Sequence, residues 1–189
     1  MKKGIITCLL LSITIISFAQ KHNIVNASIA LKNFKSAKDD QITEYLSEAK
    51  SYIDEAYNTE STSNNPKMWN YRAPIYLQIA LKAHELDKEA IFKATESHIK
   101  CLEKDKKGRV IVRKWTSEED ILSGLIQCGY KLFNLGIEKY NQEDYQNSLK
   151  HYEAIFNILP LDSEDQLKRG NITKETILYN SFFAARKMK

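Results

Sequence analysis

The stretch 135–160, LGIEKYNQEDYQNSLKHYEAIFNILP, narrows the fold more than any other part of the chain. It spells one helix, a tight turn, a second helix and a proline stop. At 3.6 residues per turn, Leu132, Leu135, Gly136 and Tyr140 fall along one side of the first helix, and Gly136 is small enough to let a neighbouring helix approach closely. The second helix carries the complement. Asp144 and Tyr145 open it, Ser148, Tyr152 and Ile155 recur at helical spacing, and Pro160 is expected to end it by withholding the next backbone donor.

The same period runs through the rest of the chain, where few glycines and prolines interrupt segments rich in Lys, Glu, Leu, Ile and Ala. An all-α fold follows. Ile24 to Ala37 reads as a first helix and Ile42, Leu46, Ala49, Ile53 and Ala56 as the buried stripe of a second, followed by a polar loop from Ser61 to Asn65. Pro66 starts a third helix with Trp69, Ala73, Tyr76 and Ala80 on one face, and Pro74 within it predicts a kink. Another helix spans Asp87 to about Lys104. Gly108 and the β-favouring Val110, Ile111 and Val112 then predict a long ordered connection with extended backbone. Thr116 or Ser117 can cap a long helix from about Glu118 to Gln142, with Glu118, Glu119 and Asp120 complementing its N-terminal dipole. A polar linker, Leu161 to Gly170, leads to a last helix over 171–187.

Small, aromatic, small and proline positions at this spacing resemble a tetratricopeptide repeat, a unit of about 34 residues. Leu135, Gly136, Ser148, Tyr152 and Pro160 stand where the repeat has Leu, Gly, Ala, an aromatic and Pro. Lys139 stands where Tyr is usual, with Tyr140 one place later, and Ile155 replaces a small Ala. Units 24–60 and 66–104 match in part, 118–160 matches best, and 171–187 resembles one more first helix. The resemblance implies an α-solenoid of about three antiparallel helix pairs plus a terminal helix. Leu178, Phe182 and Phe183 with Ile177 are more apolar groups than one contact face needs, so that helix is also a candidate homodimer contact.

The N-terminus has a separate character. Lys2 and Lys3 precede an apolar run from Gly4 to Ile16, and Ser17, Phe18 and Ala19 give a small-x-small cleavage signature. A signal peptide over 1–19 is expected, with a periplasmic or secreted product after cleavage near Ala19. The run is shorter than a membrane-spanning helix requires and is followed at once by Gln20, Lys21 and His22. Loss of Lys2 and Lys3 takes the net charge from +4 to +2, which gives no global electrostatic case for nucleic acid. Cys8 sits inside the apolar run. Cys101 and Cys128 are expected as buried free thiols, although an oxidising envelope would permit a bridge.

No HExxH, GxSxG, Walker loop or dinucleotide turn is present, so the reading is noncatalytic, with no metal or other cofactor. His98 and Cys101, one turn apart, are too few for zinc, and His98 reads as a surface residue beside a core thiol. The basic run Lys104, Lys106, Lys107, Arg109, Arg113 and Lys114 is a candidate patch for phosphate-bearing lipid or polysaccharide, set against a plain solvated loop. The resemblance implies a concave groove lined by Asn70, Tyr71, Tyr130, Phe133, Asn134, Ile137, Tyr140 and Asn141. Asn can pair with an extended peptide backbone, while Tyr and Phe supply apolar area with few rotors to freeze. The expected function is a noncatalytic scaffold of a bacterial envelope that binds a protein or peptide segment. The alternatives are assembly through the last helix and anion binding by the basic loop.

Overall fold

The computed structural model describes residues 22–188. The signal-peptide reading and Cys8 lie outside them. Nine α-helices are described: α1 (residues 22–35), α2 (Ile42–Asn58), α3 (Glu60–Ser63), α4 (Pro66–Lys82), α5 (Ala90–Cys101), α6 (Glu118–Asn141), α7 (Tyr145–Ile155), α8 (Gln166–Arg169) and α9 (Lys174–Lys187). No strand occurs among the described residues, and no helix there is long and apolar enough to cross a membrane.

Each helix packs chiefly on its neighbours in sequence: α2 on α4, α4 on α5, α5 on α6, α6 on α7, and α7 on α9. α6 also touches α4 and α8. The apolar side chains of α1, Ile24, Ala27, Ala30, Leu31 and Phe34, join the same core. Of the stripe expected on α2, Leu46, Ala49, Ile53 and Ala56 are fully buried and Ile42 is half-buried at the helix start.

Helix starts follow local capping chemistry. The Asn65 side chain accepts from Lys67 N–H ahead of Pro66, Ser117 Oγ accepts from Asp120 N–H, and Asp144 accepts from Asn147 N–H. α4 continues through Pro74. Several boundaries differ from the sequence reading for identifiable reasons. The segment expected as a polar loop contains α3, whose buried Thr62 donates from Oγ1 to Ala56 O at 2.6 Å and so satisfies a carbonyl near the end of α2. α5 starts at Ala90 rather than Asp87, because the Asp87 carboxylate accepts from Glu89 N–H and from Lys93 Nζ, holding a turn ahead of the helix. It ends at Cys101, after which Lys104 makes a single antiparallel bridge with Val110, and Val110 and Val112 are buried in a turn-rich connection. α7 ends at Ile155, five places before Pro160, which instead lies within the 3₁₀ turn Leu159–Leu161. Fully buried Ile158 anchors the chain between them. The expected polar linker holds α8, started by Asp162, whose carboxylate accepts from the N–H groups of Gln166 and Leu167.

Two packing devices organise the core. The first is Arg72, 3% exposed, whose guanidinium carbon lies 4.3 Å from the Tyr57 ring centroid, 4.8 Å from that of Tyr76 and 5.6 Å from that of Trp69. Its Nη1 reaches Ser97 Oγ at 2.7 Å, Glu96 Oε2 at 3.0 Å and Lys93 O at 3.1 Å, which ties α2 and α4 to α5. Tyr76 donates to Asp54; burial first and this bond second push its phenol well above the ordinary range. The second device is close approach at Gly136, where a Cβ would lie 2.5 Å from the Tyr152 ring, while Ser148 Oγ donates to Gly136 O at 2.8 Å.

Gly136→Val should therefore force the buried Tyr152 ring out of place and lower stability by about 1–3 kcal/mol, read from the urea midpoint. Arg72→Lys should lose the planar stacking and cost about 2 kcal/mol. Glu96→Gln, at a half-exposed carboxylate, should cost less than about 1 kcal/mol in the same measurement.

Candidate functional site

On α6, Asp120, Ser123, Gln127, Tyr130, Asn134, Ile137 and Asn141 recur every three or four positions and share one stripe; on α4 the corresponding stripe runs through Asn70, Pro74, Gln78 and Leu81. The residues implied as a groove lie on these helices, but the fold does not gather them into one site. Ile137 and Tyr140 come together with Tyr152, Tyr179, Asn180 and Phe183 around a shallow apolar hollow of about 320 Å³ between α6, α7 and α9. Tyr130 is turned toward α8, where its hydroxyl donates to Gln166 O at 2.7 Å and its ring covers Gly170. Phe133 is half-buried, its ring centroid 6.1 Å from that of Tyr152. Asn134 and Asn141 are exposed and do not line that hollow. Asn70 and Tyr71 lie near the start of α4, Tyr71 beneath Lys67 Nζ and Asn70 with its Oδ1 buried without a hydrogen-bond partner.

The larger cleft opens farther along the α4 stripe and nearer the start of the α6 stripe. It measures about 550 Å³ and lies between α1, α4 and α6. Leu31, Phe34, Ile42, Pro74 and Leu77 give it apolar walls; Gln78, Ser123 and Gln127 are its uncharged polar groups; Lys35, Asp39, Lys82 and Asp120 bring charges of both signs. Lys82 is held 5.4 Å from the Phe34 ring centroid.

His98 of α5 also borders this cleft, and its imidazole fills the space that Gly124 leaves against the backbone of α6. A Cβ at residue 124 would collide with the imidazole edge that carries Nε2. His98 is 5% exposed, so the reading of a surface histidine is corrected. Its Nδ1 lies 2.9 Å from Ala94 O, a group that can only accept, so Nδ1 carries the proton and Nε2 is an acceptor. Burial pulls the pKa down to about 4, and the bond to Ala94 only partly opposes it. The sequence signal for this burial was present. Ala90, Ala94, His98 and Cys101 follow helical spacing on the face that α5 buries.

Cys101 and Cys128 are buried and free, and burial pushes both thiols up to about 12, which makes them poor nucleophiles at ordinary pH. Cys128 Sγ lies 3.9 Å from His98 Nδ1. Among the described residues no group of three or more His, Cys, Asp or Glu side chains is placed to hold a metal ion.

The basic loop is partly neutralised by its own acids. Asp105 accepts from the N–H groups of Lys107 and Arg109 and pairs with both Arg109 and Arg113, while Lys104 pairs with Glu118. The Arg109 N–H is foremost in holding the Asp105 carboxyl down at about 2. Lys106, Lys107 and Lys114 are exposed, as is Trp115. On α9, Ile177 and Ala184 are buried, whereas Leu178, Tyr179 and Phe182 are 51%, 63% and 60% exposed.

Because the folded-state pKa of His98 is depressed, the unfolded chain takes up its proton first as pH falls. Its contribution is fully present above about pH 6.5 and is lost toward about pH 4, by up to about 3 kcal/mol. His151, also held low mainly by burial, adds in the same direction. Urea unfolding at about pH 7.5 and about pH 4.5 should show this loss, and the difference should shrink in His98→Gln. Comparison with known proteins finds no matching family model, no similar curated protein and no similar solved structure.

Proposed function

We propose that the chain is a noncatalytic binding scaffold of the bacterial envelope, a tetratricopeptide-like stack of helix pairs that takes an extended peptide or protein segment along the face shared by α1, α4 and α6. The carrying observation is the cleft of about 550 Å³ on that face, with apolar walls and uncharged amides at its border. The stripe of α6 continues from the cleft through Asn134 and Asn141, whose exposed amides can pair with a peptide backbone. The neighbour-on-neighbour packing of successive helices supports the repeat reading, as does the Gly136, Ser148 and Tyr152 contact within the best-matching unit. Export rests on the N-terminal sequence pattern, Lys2 and Lys3 ahead of an apolar run and Ala19.

A second reading, assembly through α9, is favoured by the exposed Leu178, Tyr179 and Phe182. It gives a concentration-dependent dimer in sedimentation that Leu178→Glu with Phe182→Glu abolishes.

The peptide reading is tested by capture from envelope extract on the wild-type chain, on Asn134→Ala with Asn141→Ala, and on Gln78→Ala with Gln127→Ala. Circular dichroism should show unchanged helicity in all three. The expected result is a partner held by the wild type and reduced at least about tenfold in either variant, a loss of about 1.4 kcal/mol. A partner retained equally by all three would place binding elsewhere.

A further inference from the structure

We propose that the loop between α5 and α6 is a membrane-surface contact, in which Lys106, Lys107 and Lys114 meet anionic lipid headgroups while Trp115 enters the bilayer interface. The inference goes beyond the peptide-binding reading and does not depend on it, since no residue of 104–115 lines the cleft between α1, α4 and α6.

Positive charge is concentrated in this loop. Residues 104–115 hold six Lys and Arg against Asp105 alone, whereas the whole chain has 28 Lys and Arg against 24 Asp and Glu. The remainder of the chain thus has a slight acidic surplus, and an anionic surface is drawn to the loop rather than to the molecule at large.

The backbone holds the lysines outward. Asp105 N–H donates to Arg109 O at 2.8 Å and Ile111 N–H to Glu103 O at 2.9 Å, which closes a short hairpin. Gly108 N–H donates to Asp105 O at 2.9 Å, and its φ of +73° suits the end of that turn. Lys106 and Lys107 occupy the two central turn positions and are exposed. Buried Val110 and Val112 root the hairpin in the protein. Trp115 N–H then donates to Val112 O at 2.9 Å, and Lys114 and Trp115 stand exposed on this second turn. Asp105 joins the two turns: one carboxylate oxygen accepts from Lys107 N–H at 2.8 Å and the other from Arg113 Nη1 at 3.1 Å. The cations are therefore arranged as one patch before any lipid arrives.

Pairing within the loop decides which charges remain for a ligand. Arg109 and Arg113 are engaged by Asp105, and Lys104 by Glu118. The ammonium groups of Lys106, Lys107 and Lys114 have no ion pair among the described residues. The acids that open α6 are directed elsewhere, Asp120 to the Ser117 hydroxyl and Glu119 to a separate hollow with Asp162 and Glu164.

Trp115 favours a bilayer over a soluble polyanion. It is 41% exposed, against 8% for Trp69. An indole has an apolar body and a single N–H donor, which suits the boundary between headgroups and acyl chains. A polysaccharide in water would use the lysines and leave the indole idle.

The experiment titrates the full chain with vesicles of phosphatidylcholine alone and of phosphatidylcholine with phosphatidylglycerol in equal parts, both carrying brominated acyl chains that quench tryptophan. The chain has two tryptophans, so contact at the loop is the part of the quenching that Trp115→Phe removes. That readout is blind to any contact made by the N-terminal apolar run. The expected result is saturable, salt-sensitive quenching of Trp115 on the anionic vesicles and little on the neutral ones. Each lysine near an anionic surface contributes about fivefold in partitioning, so Lys106→Ala with Lys107→Ala and Lys114→Ala should require at least about tenfold more lipid. Circular dichroism should show its helicity unchanged, and Leu178→Glu with Phe182→Glu on α9 should leave Trp115 quenching as it was. Equal quenching on neutral vesicles, no quenching of Trp115, or an undiminished response in the lysine variant overturns the proposal. Lysine-dependent binding to dextran sulfate without Trp115 quenching on vesicles assigns the patch to a polysaccharide and overturns it as well.

Discussion

Three glycines on α6 set how the rest of the molecule can close around it. Gly124 admits the His98 imidazole from α5, Gly129 admits Leu167 from α8, where a Cβ would come within 2.8 Å of Leu167 Cδ2, and Gly136 admits the Tyr152 ring from α7. Each is a place where one element rests against helix backbone. Glycine in a helix interior costs about 1 kcal/mol relative to alanine, and a helix carrying three is justified only by the contacts they permit. The long helix thus acts as a notched spine. Its notches fix the rotation of α6 about its axis, and that rotation presents Ser123, Gln127 and Asn134 along one outer stripe.

The polar interior follows the same economy. Thr62, Ser97 and Ser148 are buried and each finds a backbone or side-chain partner, and Arg72 finds three rings and three oxygens. His98 is provided for on its Nδ1 side by Ala94. Asn70 Oδ1, Arg72 Nε and Ser181 Oγ are the buried side-chain polar atoms left without a hydrogen-bond partner among the described residues.

Much of the helical framework was legible because its signals are local. Gly136 with Ser148 and Tyr152, the Pro66 start of α4, the caps Ser117 and Asp144, and the buried stripe of α2 each follow from spacing within one or two helices. What could not be read depends on partners distant in sequence. That Gly124 would meet His98, or that Tyr130 would donate to Gln166 instead of facing a groove, requires knowing how α5 and α8 lie on α6. Pro160 misled for a different reason. A proline disfavours the helical turn that precedes it, but it does not oblige a helix to run up to it, and Ile158 pulls the chain into the core first. The cleft itself draws on α1, α4, α5 and α6, so no single segment carried its signature.

Arg72 also divides the molecule by how it opens. A guanidinium enclosed by Tyr57 of α2, Trp69 and Tyr76 of α4 and the backbone of α5 makes those three helices one cooperative unit, because parting any pair strands it. α9 has no such lock and buries only Ile177 and Ala184. Its amides therefore exchange with solvent through openings that leave the α2, α4 and α5 unit closed. The exposed Leu178, Tyr179 and Phe182 thus lie on a helix without such a lock, and whatever covers them would slow exchange along α9 first.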